Sequence, residues 1–191
     1  MVIGVLSFQG SVAEHLHMLE RLEGVEPLEV KTLETLQRAD AMILPGGEST
    51  TVGRLLNIFH LMQPLRERIL KGMPVWGTCA GMILLADRVQ GETGYLKTMD
   101  ITVVRNAYGR QAESFTAREV IPEFGPEPVP LVFVRAPWVE SAGKDTSVLC
   151  RLNGHIVAVR QKNMLATSFH PELTQDLTIH RYFARMARAL I

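Results

Sequence analysis

The segment Pro74-Val75-Trp76-Gly77-Thr78-Cys79-Ala80-Gly81-Met82-Ile83-Leu84-Leu85-Ala86 carries the clearest structural pattern in this chain. Its first residues predict a short buried strand, and its last seven predict an apolar helix. Between them lies Gly-x-Cys-x-Gly, the nucleophile-elbow pattern with cysteine at the centre. Small neighbours are needed there because a sharp strand-to-helix turn holds the central side chain in a strained, exposed position. The segment therefore predicts an α/β protein with Cys79 at the end of a strand.

The same alternation of strand and helix continues towards the amino terminus. Apolar strands are predicted at 2–8, 27–31 and 41–44. Ser11, with Glu14 three residues later, has the capping-box pattern of a helix start. Uniformly apolar strands that alternate with helices are typical of a parallel sheet covered on both faces.

The second half of the chain has a different pattern. Short strands are predicted in close succession from residue 99, with Asn153-Gly154 as a hairpin turn. An amphipathic helix is predicted from Thr174, with Leu190 on its apolar stripe. No repeat or long linker interrupts the sequence. We therefore expect residues 1–191 to form one α/β domain.

Composition narrows the class of protein. The chain has 191 residues, 20 Lys and Arg against 20 Asp and Glu, and two cysteines. A net charge of zero offers no electrostatic footprint for nucleic acid or an anionic membrane. Two cysteines cannot build the disulfide framework of a small secreted protein, and neither a signal peptide nor a membrane span is predicted. We expect a soluble cytoplasmic protein without nucleic acid or membrane partners.

Cys79 is the candidate nucleophile. The elbow places it at a helix N-terminus, where the helix dipole favours thiolate over thiol. The N–H of Ala80 is then free to face an oxyanion that develops on a substrate. A structural cysteine between two packing glycines explains the same five residues, since free cysteine is often a small core residue. The pentapeptide alone leaves both interpretations open.

His170 and Glu172 are the candidate proton carriers. A thiolate nucleophile needs a histidine to move protons, and the histidine needs a carboxylate that fixes its tautomer. Because Pro171 disfavours the helical conformation at His170, an extended backbone is predicted there, with both side chains on one side. A surface histidine beside a solvated acid explains the triplet equally well when it stands alone. The order Cys…His-x-Glu is far more specific.

A glycine pair follows the strand predicted at 41–44, in Pro45-Gly46-Gly47-Glu48-Ser49-Thr50. Glycines let a backbone approach a ligand closely or adopt strained conformations, so Gly46 and Gly47 are candidates for an oxyanion hole. Glu48 and Ser49 could hold the α-amino and α-carboxylate groups of an amino acid. A plain connection capped by Ser49 explains the same residues, whereas a phosphate-binding loop would need a lysine that is absent.

The remaining polar candidates are weaker. His15 and His17 face different sides of a predicted helix and make a poor metal pair. His180 has no Cys, His or carboxylate partner at ligand spacing. Cys150 follows an apolar strand pattern and is assigned to the core.

Together these segments resemble the class I (triad) glutamine amidotransferases, and more narrowly the glutaminase subunits of pyridoxal 5′-phosphate synthase (the PdxT/SNO family). The resemblance extends from Ile3 to the last helix, and residues 94–100 depart from the family pattern. The segments that carry the narrower match are Ser7-Phe8-Gln9-Gly10 with Glu14-His15, Arg105-Asn106 with Gly109-Arg110-Gln111 and Ser114-Phe115, Phe133-Val134-Arg135-Ala136-Pro137, and His170-Pro171-Glu172-Leu173-Thr174.

The resemblance implies a flavodoxin-like three-layer sandwich with a mostly parallel central sheet. It implies a triad in which Cys79 is the nucleophile, His170 the general base and acid, and Glu172 the group that orients His170. No metal or organic cofactor is implied. The matched glutamine-binding positions are Gly47, Glu48, Ser49, Arg105, Val134 and Arg135. The matched oxyanion hole is Gly46, Gly47 and Ala80.

The implied reaction converts L-glutamine to L-glutamate and ammonia through a γ-glutamyl thioester on Cys79. Ammonia would be channelled to a separate (β/α)₈ synthase subunit that builds pyridoxal 5′-phosphate (vitamin B6) from pentose and triose phosphates. Family glutaminases are switched on when the synthase docks, and we expect Gln9 and Glu14 to take part in that contact. A glycine pair can flip a peptide at little steric cost, so docking could complete the oxyanion hole.

Two other functions remain as alternatives. A Cys-elbow hydrolase of the DJ-1/peptidase-like group would share the sheet and the exposed thiol, although the His-Pro-Glu motif and the glycine loop argue against it. A glutaminase-like regulatory binding subunit would be expected to lack a triad residue, and Cys79, His170 and Glu172 are all present.

Overall fold

The structure is a computed structural model that describes residues 1–107 and 114–191. Its strands are β1 (Val2–Leu6), β2 (Glu26–Val30), β3 (Ala41–Leu44), β4 (Val75–Thr78), β5 (Ala86–Val89), β6 (Glu92–Thr93), β7 (Met99–Val104), β8 (Ser114–Val120), β9 (Pro128–Val134), β10 (Trp138–Ala142), β11 (Ser147–Leu152), β12 (His155–Gln161) and β13 (Met164–Thr167). Its helices are α1 (Val12–Glu20), α2 (Leu33–Arg38), α3 (Ser49–Ile58), α4 (Met62–Leu70), α5 (Ala80–Leu85) and α6 (Thr178–Arg188), with a 3₁₀ turn at Pro171–Leu173. None of the helices in these two ranges is long and apolar enough to cross a membrane.

A central sheet carries the strands in the order β2-β1-β3-β4-β13-β12-β10-β7-β5-β6, with β11 also paired to β12. From β2 to β13 the neighbouring strands are parallel. On the other side of β13 the pairing is antiparallel, from β13 to β12, from β12 to β10 and from β10 to β7. The turn between β11 and β12 is Asn153-Gly154, with both residues at positive φ as a tight hairpin requires. The predicted α/β class is confirmed, but the sheet is mixed rather than mostly parallel, because the strands from β12 to β10, with β11 and β6, pair in antiparallel fashion.

Helices cover both faces of the parallel half. On one face, α1 and α6 pack Leu19 and Phe183 against Trp76 of β4. On the other face, α2, α3, α4 and α5 form a second core in which Leu56 packs with Met42 of β3. Each large apolar side chain buried in this way stabilises the fold by about 1.5–3 kcal/mol. The result is a three-layer arrangement in which central strands such as β3 are buried along their whole length.

Two local expectations are wrong. Ser11 is the N-cap of α1 but makes no cap hydrogen bond, because its hydroxyl donates to Glu172 Oε1 at 2.6 Å instead. The last helix begins at Thr178 rather than Thr174, since the chain first forms the 3₁₀ turn and Asp176 then accepts a hydrogen bond from the Thr178 N–H at 2.8 Å. Leu190 lies beyond this helix and is exposed.

The carboxyl ends of four parallel strands meet at one edge of the sheet. Gln9 follows β1, Gly46 follows β3, Cys79 follows β4 and His170 follows β13. Open α/β sheets place their binding sites outside this edge, where the loops after neighbouring strands converge. The topology thus brings the candidate residues of four separate segments to one place.

Candidate active site

Cys79 occupies the turn between β4 and α5 with φ 48° and ψ −103°. This is a strained conformation for a residue with a side chain, and its N–H is held by the Thr167 carbonyl of β13 at 2.8 Å. Gly77 and Gly81 cannot be replaced without a clash, because a Cβ on Gly77 would overlap the Gly81 carbonyl and one on Gly81 would overlap the Leu44 carbonyl. The geometry is that of a nucleophile elbow.

The structure brings the three predicted triad residues together. His170 Nδ1 lies 2.7 Å from Glu172 Oε1. Cys79 and His170 line one cavity, and the sulfur is near enough to influence the protonation of the imidazole directly. All three are nearly buried, with 7%, 7% and 4% of Cys79, His170 and Glu172 exposed.

The His-Pro-Glu segment reaches this geometry by a turn. His170 has φ −113° and ψ 85°, and the chain enters the 3₁₀ turn at the next residue. His170 and Glu172 therefore meet across that turn rather than along an extended strand. The predicted proximity of the two side chains holds, but for a different local reason.

The charges of the site depend on one another. Burial lowers the pKa of His170, but contacts with Cys79 and Glu172 outweigh it and raise the pKa to about 10. Burial raises the pKa of Glu172, but His15, His170 and Ser11 outweigh it and lower the pKa to about 2. At neutral pH the site thus holds an imidazolium and a carboxylate.

Sequence reasoning missed the other neighbours of Glu172. Besides Ser11 on Oε1, His15 Nε2 lies 3.5 Å from Oε2. His15 Nδ1 is 3.0 Å from His180 Nε2, although the two residues are 165 positions apart in the chain. His180 therefore has a histidine neighbour after all. The only signal for His15 was its place in the family resemblance.

A cavity beside Cys79 collects the predicted glutamine-binding residues. Its lining includes Gly47, Glu48, Ser49, Arg105, Val134 and Arg135, together with Ala80. Arg105 donates to Glu48 Oε1 at 2.9 Å and to Glu92 Oε1 at 2.6 Å, and Glu92 is a partner that the sequence did not indicate. The Ser49 hydroxyl is buried and interacts with the Tyr95 side chain, but it has no partner within hydrogen-bond limits in the described ranges. Two arginines, one carboxylate and the Ser49 hydroxyl thus line the cavity beside the thiol.

The candidate oxyanion donors lie around the same sulfur. Ala80 is the first residue of α5, so its N–H has no acceptor within the helix. Neither Gly46 nor Gly47 has a positive φ. They are needed for close approach instead, because a Cβ on Gly46 would overlap the His170 ring and one on Gly47 would lie 2.6 Å from Gln9 Oε1.

The two predicted contact residues lie at different distances from the cavity. Gln9 lines the cavity that Cys79 shares with His170, and its side-chain oxygen accepts a hydrogen bond from the Glu48 N–H at 2.7 Å. Glu14 lies on the exposed side of α1. The segment Gly109-Arg110-Gln111 lies outside the described residues. Within the described ranges, no cluster of three or more His, Cys, Asp or Glu is placed to hold a metal ion.

A cysteine, a histidine and a glutamate at the carboxyl edge of a parallel sheet are the groups of a thiol-dependent acyl-transfer site. Comparison with known proteins makes the class specific. Residues 5–189 match the SNO glutamine amidotransferase family, and the chain belongs to that family.

Individual relatives and solved structures agree. Pyridoxal 5′-phosphate synthase subunit PdxT of Clostridium kluyveri is 52% identical over 189 residues, which cover 98% of this chain and 100% of that protein. The protein of the same description from Carboxydothermus hydrogenoformans is 54% identical and covers 96% of each chain. A crystal structure of a glutamine amidotransferase matches with a TM-score of 0.92 at 43% identity, over 98% of this chain and 100% of that chain. PurLQS of Thermotoga maritima, at 16% identity and a TM-score of 0.67, shares the fold. The predicted family and fold are confirmed.

Proposed function

We propose that this protein hydrolyses L-glutamine to L-glutamate and ammonia, as the glutaminase subunit of a pyridoxal 5′-phosphate synthase. The observation that carries the proposal is the cavity in which Cys79 faces Glu48, Ser49 and Arg105. A free amino acid has an ammonium and a carboxylate at one end, and these groups need an anion, a cation and a hydroxyl as partners. Binding that end would leave the side-chain amide to reach the thiol.

The first half-reaction forms a thioester. The Cys79 thiolate attacks the amide carbon of glutamine, and the oxyanion that develops is held by the N–H groups of Ala80 and the glycine loop. His170, whose Nδ1 faces Glu172, donates its Nε2 proton to the amide nitrogen. The carbon–nitrogen bond breaks, ammonia leaves, and a γ-glutamyl thioester remains on Cys79.

The second half-reaction reverses the roles. Neutral His170 takes a proton from water, and the hydroxide attacks the thioester carbon. Collapse of the intermediate releases glutamate and restores the thiolate beside the imidazolium. Glu172 remains an anion throughout. It accepts a hydrogen bond from Nδ1–H of His170 and so keeps that proton on Nδ1. These steps need no group beyond the side chains and backbone of the chain itself.

The partner in this proposal is a (β/α)₈ synthase subunit that consumes the ammonia. Free ammonia is protonated in water, so a protected path between subunits favours its transfer. The Gly46 carbonyl accepts a hydrogen bond from the Ser11 N–H at 3.0 Å, and glycine lets this peptide turn at little steric cost. Docking near Gln9 and Glu14 would reorient it and complete the oxyanion hole. A cytoplasmic location is part of the proposal, because a reactive thiolate needs reducing conditions.

The function is tested by mixing the chain with its synthase subunit and measuring glutamate. We expect turnover to rise by at least about tenfold over the isolated chain, since one oxyanion donor is worth ~10²–10³ in rate. Pyridoxal 5′-phosphate formation should depend on this chain when glutamine is the nitrogen source. It should not depend on the chain when an ammonium salt is the nitrogen source. Full turnover without the synthase would contradict activation by docking. Turnover of a peptide or a glyoxal without glutaminase activity would favour the DJ-1/peptidase-like alternative. Binding to the synthase without any turnover would favour the regulatory binding subunit.

Arg105 provides a test of how the substrate is held. In the variant Arg105→Gln, we expect the KM for glutamine to rise about 10–100-fold, as for the loss of a hydrogen bond to a charged group, with kcat changed by less than about threefold. The reason is that Arg105 would bind the part of glutamine that does not react. Arg118→Gln is the matched control, because Arg118 is exposed on β8 and donates only to the Pro128 carbonyl among the described contacts. Equal KM values for the two variants would remove Arg105 from the binding site.

A further inference from the structure

Two buried histidines behind the triad have no role in the mechanism above. His15 on α1 and His180 on α6 are both 0% exposed, and their nearest ring nitrogens are 3.0 Å apart. Trp76 packs edge-on against both rings, with centroid distances of 5.5 Å and 4.9 Å. Polar groups in apolar surroundings are unfavourable unless they are paired. Apolar packing between α1, α6 and β4 does not account for two adjoining imidazoles.

The protonation of this pair follows from its surroundings. Burial lowers the pKa of both histidines, that of His180 to about 3, so both rings are neutral at pH 7. A neutral imidazole has one N–H and one lone pair. His180 Nδ1 is buried without a hydrogen-bond partner among the described residues, and an unpaired acceptor is tolerated better than an unpaired N–H. The proton of His180 therefore belongs on Nε2, and His15 Nδ1 accepts it.

This arrangement leaves the proton of His15 on Nε2. That nitrogen lies 3.2 Å from Thr78 Oγ1 and 3.5 Å from Glu172 Oε2. Glu172 Oε1 accepts from Ser11 and His170, whereas Oε2 has no partner within hydrogen-bond limits in the described ranges. The Nε2–H has Thr78 Oγ1 as its hydrogen-bond acceptor, and its partial positive charge, 3.5 Å from Oε2, stabilises the carboxylate. In the other tautomer a nitrogen lone pair would face the carboxylate and repel it.

We propose that His15 is a positioning residue for the glutaminase reaction. Its Nε2–H, held in place by the hydrogen bonds of His15 to Thr78 and His180, lies 3.5 Å from Oε2, keeps Glu172 ionised and leaves Oε1 to face His170. His15 acts through Glu172 and does not touch glutamine. The proposal rests on the proposed function of Cys79, His170 and Glu172.

The charged and titratable groups around His15 define what should change with pH. Glu172 and His170 face it from the segment after β13, His180 faces it from α6, and Glu14 lies on its own helix. Of these, Glu172 is the group that must stay ionised for His170 to be oriented. Loss of the His15 N–H should therefore move the acid limb of the kcat profile to higher pH.

The variants His15→Phe and His15→Gln separate this role from packing. Measured in the complex with the synthase subunit, His15→Phe should lower kcat for glutamine hydrolysis about tenfold, an effect of the size of one polar contact to a charged group. Its acid limb in the kcat profile should move to higher pH, while KM stays within about twofold. His15→Gln can place an amide N–H where Nε2 was, so it should regain most of kcat and the wild-type acid limb. Equal losses in both variants with an unmoved acid limb would overturn the proposal.

A measurement on the unaltered chain keeps the proposal testable even where a variant fails to fold. Nitrogen NMR of the ¹⁵N-histidine-labelled protein reports which ring nitrogen carries the proton. We expect the Nε2–H form for both His15 and His180 at pH 7. A proton on Nδ1 of His15 would overturn the positioning role whatever the activity. If both histidines have the expected tautomers but the wild-type complex does not turn over glutamine, the result would count against the proposed function instead.

Discussion

Glutamine hydrolysis by the complex is expected to fall at least ~10⁴-fold in the variant Cys79→Ala, because no other group can form the thioester. The variant should fold, since alanine is smaller than cysteine and fits the same nearly buried position. Glutamate release measured with the synthase subunit present gives the rate. Pyridoxal 5′-phosphate formation from an ammonium salt should be unchanged, which shows that the synthase is intact.

Cys150→Ala is the matched control. Cys150 is the second free cysteine and is buried on β11, as predicted for a core residue. Its burial, and to a smaller extent the negative charge of Glu119, raise the pKa of its thiol to about 11. We expect full glutaminase activity in this variant. A glutamine-analogue electrophile should label the wild type and Cys150→Ala but not Cys79→Ala. Turnover that survives Cys79→Ala would remove Cys79 from the mechanism.

The second large effect is expected for Glu172→Gln. The amide has the size of the carboxylate but not its charge, and its NH2 group can donate to Nδ1 and favour the wrong tautomer of His170. The pKa of His170 should therefore fall. By analogy with the corresponding change in a serine-protease triad, kcat should drop by ~10³–10⁴, with KM little altered. Glu123→Gln, at an exposed position, should behave as the wild type. A kcat within tenfold of the wild type in Glu172→Gln would contradict the orienting role.

The same variant tests the link between charge and stability. The pKa of Glu172 is lowered from 4.5 to about 2 in the folded state, so its ionised form stabilises the fold above pH 4.5, and this contribution is lost as the pH falls towards 2. The free energy of unfolding of the wild type should therefore decrease more steeply between pH 5 and pH 3 than that of Glu172→Gln. Parallel curves from denaturant titrations across this range would show that Glu172 is not held as a buried anion.

Local features of the fold could be predicted from the sequence because near neighbours determine them. The elbow at Cys79 needs Gly77 and Gly81 within two residues, and the hairpin at Asn153-Gly154 needs only two residues with positive φ. Strands such as β3 and helices such as α5 follow from short apolar runs. Element ends were less certain, since the start of α6 depends on Asp176 and a preceding 3₁₀ turn.

What the sequence by itself determined is therefore the α/β class, the family, and the residue types that make up a thiol site. The tertiary structure alone decided which polar groups lie around Glu172. Ser11, the N-cap of α1, is 161 positions away in the sequence, and His15, on α1, is 157 positions away. It also placed Arg105 between Glu48 and Glu92. A hydrogen bond between distant segments depends on where the strands and helices carry each side chain. No local pattern of residues encodes that position, because it is set by the packing of the whole sheet.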